Sequence, residues 1–170
     1  MNIPQLTKIL YVVLWCSVVF LSGCATYLKP ETGAIARQEA RINLTEKSVK
    51  EDLWKTKDLQ LAYSITRSDD TFTFQGELVF DQSLTYSFGT IARFSLKMSF
   101  LDGEGRVLET VDITPMYKAF GSVTARMSIR ASGAEPAGAA AIAFNYFGLF
   151  KGDNNEIGGS DWQIFYFPFE

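Results

Sequence analysis

After residue 57 the chain alternates between apolar and polar residues with a period of two. This period is typical of β-strands, in which successive side chains point to opposite faces. The first two alternating segments are joined by the short, turn-forming sequence "RSDD", which predicts a β-hairpin. The pattern places the following residues on the inner face of the hairpin: Leu59, Leu61, Tyr63, Ile65, Phe72, Phe74, Gly76, Leu78 and Phe80.

The same period continues in "RFSLKMSFLDGEGRVLETVDI" and in "VTARMSIRA". Asp102-Gly103 and Glu104-Gly105 divide the first of these segments into two strands, because glycine readily takes the positive φ of tight turns. Two later segments, "AAAIAFNYFGLF" and "DWQIFYFPF", are apolar on both faces, which is typical of covered strands. A helix is the alternative for the first of them, whose beginning is rich in alanine.

The seven predicted strands have turn signals between them and no helical crossovers. We therefore predict an all-β fold, an antiparallel β-sandwich of immunoglobulin-like plan, over residues 58–170. A small closed β-barrel is the alternative. For residues 24–57, which are charged and sparsely apolar, we expect a tether with a short helical or irregular segment that docks Leu53 and Trp54 onto the domain.

The first 23 residues have the composition of an export signal. Lys8 precedes thirteen uncharged residues, "ILYVVLWCSVVFL". As a helix these would extend roughly 20 Å, which is short of the roughly 30 Å hydrocarbon core of a bilayer. The pattern therefore favours a signal peptide over residues 1–23. A longer membrane anchor over residues 6–27 is the alternative.

The segment that follows, Leu21-Ser22-Gly23-Cys24, resembles the lipobox of bacterial lipoproteins. The resemblance implies that a signal peptidase recognises Leu21, Ser22 and Gly23 and cuts before Cys24. Cys24 would then carry a diacylglyceryl thioether and an acylated amine, such as a palmitoyl amide. Several acyl chains make such an anchor effectively permanent. Ala25, where an Asp would imply retention at the inner membrane, implies the periplasmic face of an outer membrane.

Residues 76–110 resemble FxLYD-type and related immunoglobulin-like domains of bacterial envelopes. The resemblance lies in a Gly-x-Leu strand followed by an alternating strand that ends in Phe100-Leu101-Asp102, with Gly105 and Val107 after it. The chain departs from the pattern at Phe80, where the family usually has Asn. The resemblance implies a β-sandwich and carries no implication for a function.

Charge and composition exclude several classes of protein. The formal net charge of −3 has the wrong sign for a protein that binds nucleic acid. The chain contains no histidine, the commonest general base and metal ligand. Cys16 would leave with the signal peptide and Cys24 would become the anchor, so the mature chain would have no thiol and no disulfide. We predict no catalytic residues and no enzymatic activity.

One acidic loop has residues that could bind a metal ion. Asp153, Asn155, Glu156 and the later Asp161 offer oxygen ligands of the kind that calcium takes. Their spacing is not that of an EF-hand, and clusters of Asn and Gly between strands usually form turns. The sequence therefore predicts no metal site, and the covalent lipid on Cys24 is the only cofactor expected.

Two functions are consistent with these features. The first is a membrane-anchored envelope lipoprotein whose β-sandwich is a non-enzymatic interaction or assembly module for other envelope proteins. The alternative is a carrier or receptor for a lipid or another apolar ligand. Such a ligand would lie between the sheets or under Phe147, Phe150 and Trp162.

Overall fold

The computed structural model describes residues 28–44, 50–68, 70–118, 121–152 and 161–170. Within them, two antiparallel β-sheets pack face to face as a sandwich, which confirms the predicted fold class. Neither sheet closes into a barrel. The strands are β1 (Ile42–Asn43), β2 (Lys50–Lys55), β3 (Leu59–Ser68), β4 (Thr71–Phe80), β5 (Thr90–Leu101), β6 (Val107–Asp112), β7 (Gly121–Ser122), β8 (Arg126–Ala134), β9 (Ala141–Lys151) and β10 (Asp161–Tyr166).

One sheet has four strands in the order β2-β3-β4-β8. The other has six, in the order β1-β9-β5-β6, with β10 also paired to β9 and β7 to β5. A short helix, α1 (Gln82–Ser87), connects β4 to β5, and a 3-10 turn (Gln38–Ala40) precedes β1. The connection from β4 to β5 carries the chain from the four-stranded sheet to the six-stranded one.

The main core lies between the two sheets and is built largely from aromatic rings. At its centre Phe144 of β9 contacts Trp54, with ring centroids 5.0 Å apart, and Tyr63, at 5.3 Å. Tyr63 in turn stacks on Phe74 at 5.5 Å. The inward residues predicted for the first hairpin are buried, apart from the half-buried Gly76. Alternation alone therefore identified the core face of β3 and β4.

The segment before Asp58 differs from the expected helix or irregular chain. Residues Lys50–Lys55 form strand β2, which pairs with β3 in the register Trp54 to Leu61. Because strand residues alternate in direction, Trp54 packs into the core, whereas Leu53 is 56% exposed. The prediction that both residues dock onto the domain is thus correct for Trp54 and wrong for Leu53.

The tether expected over residues 24–57 is also corrected, because residues 28–41 pack against the outer face of the six-stranded sheet and residues 42–43 join that sheet as β1. Ala36 is completely buried there, in a second small core with Leu101, Ala143 and Phe169. Backbone hydrogen bonds fix this segment on both sides. They run from Gly33 N to Val107 O at 2.8 Å, and between residue 35 and residue 170 in both directions. The segment is part of the fold.

The first half of strand β9 is covered on both faces, as its two-sided apolar pattern predicts. Residues 141–146 are all buried, between the main core and the covering segments. Strand β10, with a similar pattern, lies at the sheet margin instead. Ile164 is buried, but Trp162 and Phe165 are 52% and 45% exposed. The expectation of a covered strand is therefore wrong for most of β10.

None of the helices in the part of the chain that the structure describes has the length and apolarity needed to cross a bilayer.

Candidate functional site

A shallow groove of about 600 Å³ lies on the outer face of the four-stranded sheet. It crosses all four strands of this sheet. Its walls carry carboxylate, hydroxyl, amide and guanidinium groups, so its character is polar. The groove is lined by Glu51, Asp52, Ala62, Tyr63, Ser64, Gln75, Gly76, Ser128, Ile129 and Arg130.

Strand register aligns four of these residues in one row across the sheet. Glu51 pairs with Ser64, Ser64 with Gln75, and Gln75 with Arg130. At about 4.8 Å between neighbouring strands, the Cα atoms of Glu51 and Arg130 lie roughly 14 Å apart. The row therefore has a carboxylate at its end on β2 and a guanidinium at its end on β8.

Gly76 and Tyr63 form the floor of the groove. A Cβ on Gly76 would lie 3.1 Å from both the Ala62 carbonyl oxygen and Leu61 Cδ1, so a side chain at this position would require its neighbours to move. Tyr63, directly opposite Gly76 in the register, is 4% exposed. Burial, followed by the nearby Asp52 carboxylate, raises the pKa of Tyr63. The phenol therefore stays neutral over the physiological pH range.

A buried hydrogen-bond network positions the strand that carries Glu51 and Asp52. Tyr146 of the six-stranded sheet donates its hydroxyl proton to Asp58 Oδ2 at 2.7 Å, and Thr56 Oγ1 lies 3.0 Å from the same hydroxyl. Thr56 Oγ1 also accepts from the backbone N–H groups of Asp58 and Leu59 at 3.3 and 3.2 Å. The turn between β2 and β3 is thereby fixed to the opposite sheet.

This network also affects the titration of Tyr146. Burial raises the pKa of Tyr146, and the hydrogen bond to Asp58 and its negative charge act in the same direction. The hydrogen bond with Thr56 acts in the opposite direction, but the net change is upward. The tyrosine therefore remains a proton donor to Asp58 at all physiological pH values.

The residues predicted for lipidation and peptidase recognition, Leu21, Ser22, Gly23 and Cys24, lie outside the described residues. Leu28, the first residue that the structure describes, is 6% exposed, and its carbonyl accepts a hydrogen bond from the buried Asn145 Nδ2 at 2.9 Å. The described chain therefore starts on the outer face of the six-stranded sheet.

The calcium candidates Asp153, Asn155 and Glu156 also lie outside the described residues. Asp161 is exposed at the beginning of β10, opposite Lys151 in the register with β9. Within the ranges that the structure describes, no group of three or more Cys, Asp or Glu residues could hold a metal ion.

The carboxylates at the β5–β6 turn have a structural role. Asp102 Oδ1 accepts hydrogen bonds from the backbone N–H groups of Glu104 and Arg106 at 2.9 and 2.8 Å. These bonds, that of Arg106 foremost, hold the pKa of Asp102 below its usual range. Gly105 has a φ of +86°, and a Cβ there would lie 2.1 Å from Arg41 Cζ, so the turn requires glycine.

The three residues proposed to line an apolar ligand site do not share one cavity. Phe150 is fully buried in the main core, where it contacts Phe80 at 5.1 Å. Phe147, an odd number of residues away on β9, lies on the opposite face of the sheet. Trp162 is half exposed and stacks on Phe88 at 6.4 Å.

Sequence reasoning missed the groove, because Glu51 and Asp52 were assigned to a tether and the row emerges only from the register of four strands. The charged residues of "KEDLWK" were the available signal, since charged side chains are common on edge strands. Comparison of this chain with protein family models, curated proteins and solved structures found no match.

Proposed function

We propose that the protein is a lipid-anchored interaction module of the bacterial cell envelope, without catalytic activity of its own, and that it binds its partner through the groove of the four-stranded sheet. The lipobox-like segment 21–24 supports the anchor. The polar row from Glu51 to Arg130 is the observation that carries the binding role.

The chemistry of the row defines the partner. An envelope protein that presents a cation opposite Glu51 and an anion opposite Arg130 would match the two ends of the row. Polar groups between these charges would face Ser64 and Gln75, which can each donate and accept hydrogen bonds. Charge complementarity of this kind favours orientation and specificity more than raw affinity. A reversible assembly contact fits these properties.

Binding through the face of the sheet is favoured over addition of a strand to its edge. The edge strands are β2 and β8. Each has exposed charged residues, Glu51 and Lys55 on one and Arg126 and Arg130 on the other, and such charges discourage pairing with a further strand. Arg126 additionally donates to Glu77 Oε1 at 2.7 Å, across the outer face.

The anchor is tested by metabolic labelling with palmitate and by fractionation of membranes. We expect Cys24→Ser to lose the label and to accumulate at precursor size, because the thioether sulfur is gone. Cys16→Ser is the matched control, since it removes a thiol from the segment that would be cleaved. Retention of the label by Cys24→Ser, or its absence from the natural chain, would exclude a lipid anchor at this residue.

The groove is tested with a photo-crosslinking amino acid at Gln75, at the centre of the row, in the full-length protein in cells. We expect one discrete adduct, which disappears when Arg130→Glu is added because the positive end of the row is reversed. A crosslinker at the exposed Glu109 of β6 is the control for proximity alone. An adduct that persists in both Arg130→Glu and Glu51→Lys backgrounds would contradict binding through the row.

A further inference from the structure

The outer face of the six-stranded sheet has a partly exposed apolar area beside the point where the described chain begins, with Phe165 exposed and Phe147 and Leu149 half-buried. Phe165 of β10, 45% exposed, lies opposite Phe147 of β9 in the register and stacks on Phe167 at 6.1 Å. The next row on the same face contains Leu149 and Arg93. We call the area formed by Arg93, Phe147, Leu149 and Phe165 the aromatic patch.

The aromatic patch combines apolar and cationic groups. The Arg93 guanidinium lies over the Phe147 ring, 5.9 Å from its centroid. Lys151, opposite Thr90 one row further along, adds a second cation to the same face, and Asp161 faces it from β10. Phenylalanine and leucine beside arginine and lysine suit the boundary between lipid headgroups and acyl chains, because the apolar side chains enter the acyl region while the cations stay among the headgroups.

The position of Leu28 limits how far this patch can be from the proposed anchor. Its carbonyl is bound to Asn145, two residues and therefore about 7 Å along β9 from Phe147. Cys24 is four residues before Leu28, so the two Cα atoms are at most about 14 Å apart, whatever the path between them. This distance is less than half the diameter of a domain of this size, roughly 35 Å.

We infer that the aromatic patch rests on the lipid bilayer, at the headgroup boundary, and that the four-stranded sheet with its groove points away from the membrane. This orientation rests on the proposed lipid anchor at Cys24. The short connection to Leu28 places the patch beside the acyl chains, and its phenylalanines and cations match the chemistry of the interface. The anchor and the patch therefore hold the domain at two points.

The orientation is tested with single-cysteine probes in the full-length, lipidated protein. Because acylation leaves Cys24 without a thiol, an introduced cysteine is the only labelling site in the mature chain. Gln163, between Trp162 and Ile164 in the sequence, lies on the face that carries the aromatic patch, and Gln163→Cys places a probe there. Gln75→Cys places a probe on the outer face of the four-stranded sheet. Both glutamines are exposed. Each is labelled with an environment-sensitive fluorophore and reconstituted in vesicles of phosphatidylcholine and phosphatidylglycerol that contain a brominated lipid.

We expect the label at residue 163 to shift to shorter wavelength and to lose most of its emission to the brominated lipid, while the label at residue 75 changes in neither respect. Equal quenching of the two labels, or quenching only at residue 75, would overturn the orientation. A shift of the label at residue 163 to shorter wavelength that depends on protein concentration and occurs without vesicles would also overturn the orientation. A second copy of the chain would then cover the patch.

A second variant connects the orientation to the patch itself. Phe165→Asp should restore the emission of the fluorophore at residue 163. A carboxylate is unfavourable at the headgroup boundary, so this side of the domain would tilt away from the bilayer. Leu53→Asp, at an exposed leucine on the opposite sheet, is the matched control and should leave quenching unchanged. Unchanged quenching in folded Phe165→Asp would contradict the inference. If the natural chain carries no palmitate, the proposed lipid anchor is wrong. That result comes from metabolic labelling and does not depend on the fluorescent probes.

Discussion

The two outer faces of the sandwich differ although both sheets contribute equally to one core. The outer face of the six-stranded sheet is covered at one end by residues 28–41 and 167–169, over the apolar side chains of Leu101 and Ala143. Among the residues that the structure describes, no segment covers the outer face of the four-stranded sheet, which presents the polar row from Glu51 to Arg130. An apolar outer face has to be covered to be stable in water, whereas a polar one is available for binding.

The largest effect is expected where the cover is most tightly packed. Leu101→Ala removes a fully buried side chain from the small core under the covering segment, and should destabilise the protein by about 2–5 kcal/mol. Equilibrium unfolding in urea measures this change. A loss below about 0.5 kcal/mol, the usual size for surface positions, would show that the cover adds little and that the two faces are energetically alike.

The hydrogen-bond network between the sheets should give an intermediate effect. Tyr146→Phe leaves the buried Asp58 without its donor, and we expect a loss of about 1–3 kcal/mol at neutral pH. Tyr86→Phe, at a tyrosine that is 83% exposed, is the control. If the two variants unfold at the same urea concentration, the turn before β3 does not depend on the opposite sheet.

The same network predicts a loss of stability in alkali. Burial raises the pKa values of Tyr63 and Tyr146 in the folded protein, whereas an unfolded tyrosine has a pKa of about 10. Their contribution to stability is therefore fully present below pH 10, and it decreases as the pH rises toward the folded values, because only the unfolded chain releases these protons. We expect the slope of unfolding free energy against pH above 10 to be shallower in Tyr146→Phe. An identical slope would contradict this assignment.

The smallest effect is expected on the open face. Leu53→Ala also removes a leucine side chain from an outer face, but this residue is 56% exposed and should cost no more than about 0.5 kcal/mol. Urea unfolding of this variant beside Leu101→Ala compares the two faces with the same chemical change. A cost similar to that of Leu101→Ala would mean that the four-stranded sheet is covered as well.

The core face of β3 and β4 followed from the sequence, because a period of two assigns every second residue to one face. Where a residue departs from this rule, a long-range contact is the reason. The period of two places Ser99 on the outer face of its sheet, yet Ser99 is buried, and its hydroxyl lies 2.9 Å from that of Thr110 on β6. Strand β2 was missed because only Leu53 and Trp54 interrupt its polar sequence, and its pairing with β3 depends on the whole sheet.

The candidate site was less accessible to prediction than the fold. The two-sided apolar pattern of β9 indicated a covered strand, but no local signal identified residues 28–41 as the segment that covers it. For β10 a similar pattern was misleading, since Phe165 lies on the outer face beyond that cover and Trp162 lies on the core face at the margin of the sheet. The row of the groove combines positions from four strands, so it exists only once their register is known.

The pairing between residue 35 and residue 170 has a consequence for the order of folding. These two residues exchange backbone hydrogen bonds at 3.0 and 3.1 Å, and Arg37 N donates to Pro168 O at 2.8 Å. The segment that is synthesised early therefore obtains its partners only when residues 168–170 have followed. The intervening sheets can form first, and closure of this pair completes the domain. Loop closure over such a separation is slow, so the covering segment is expected to dock late in folding.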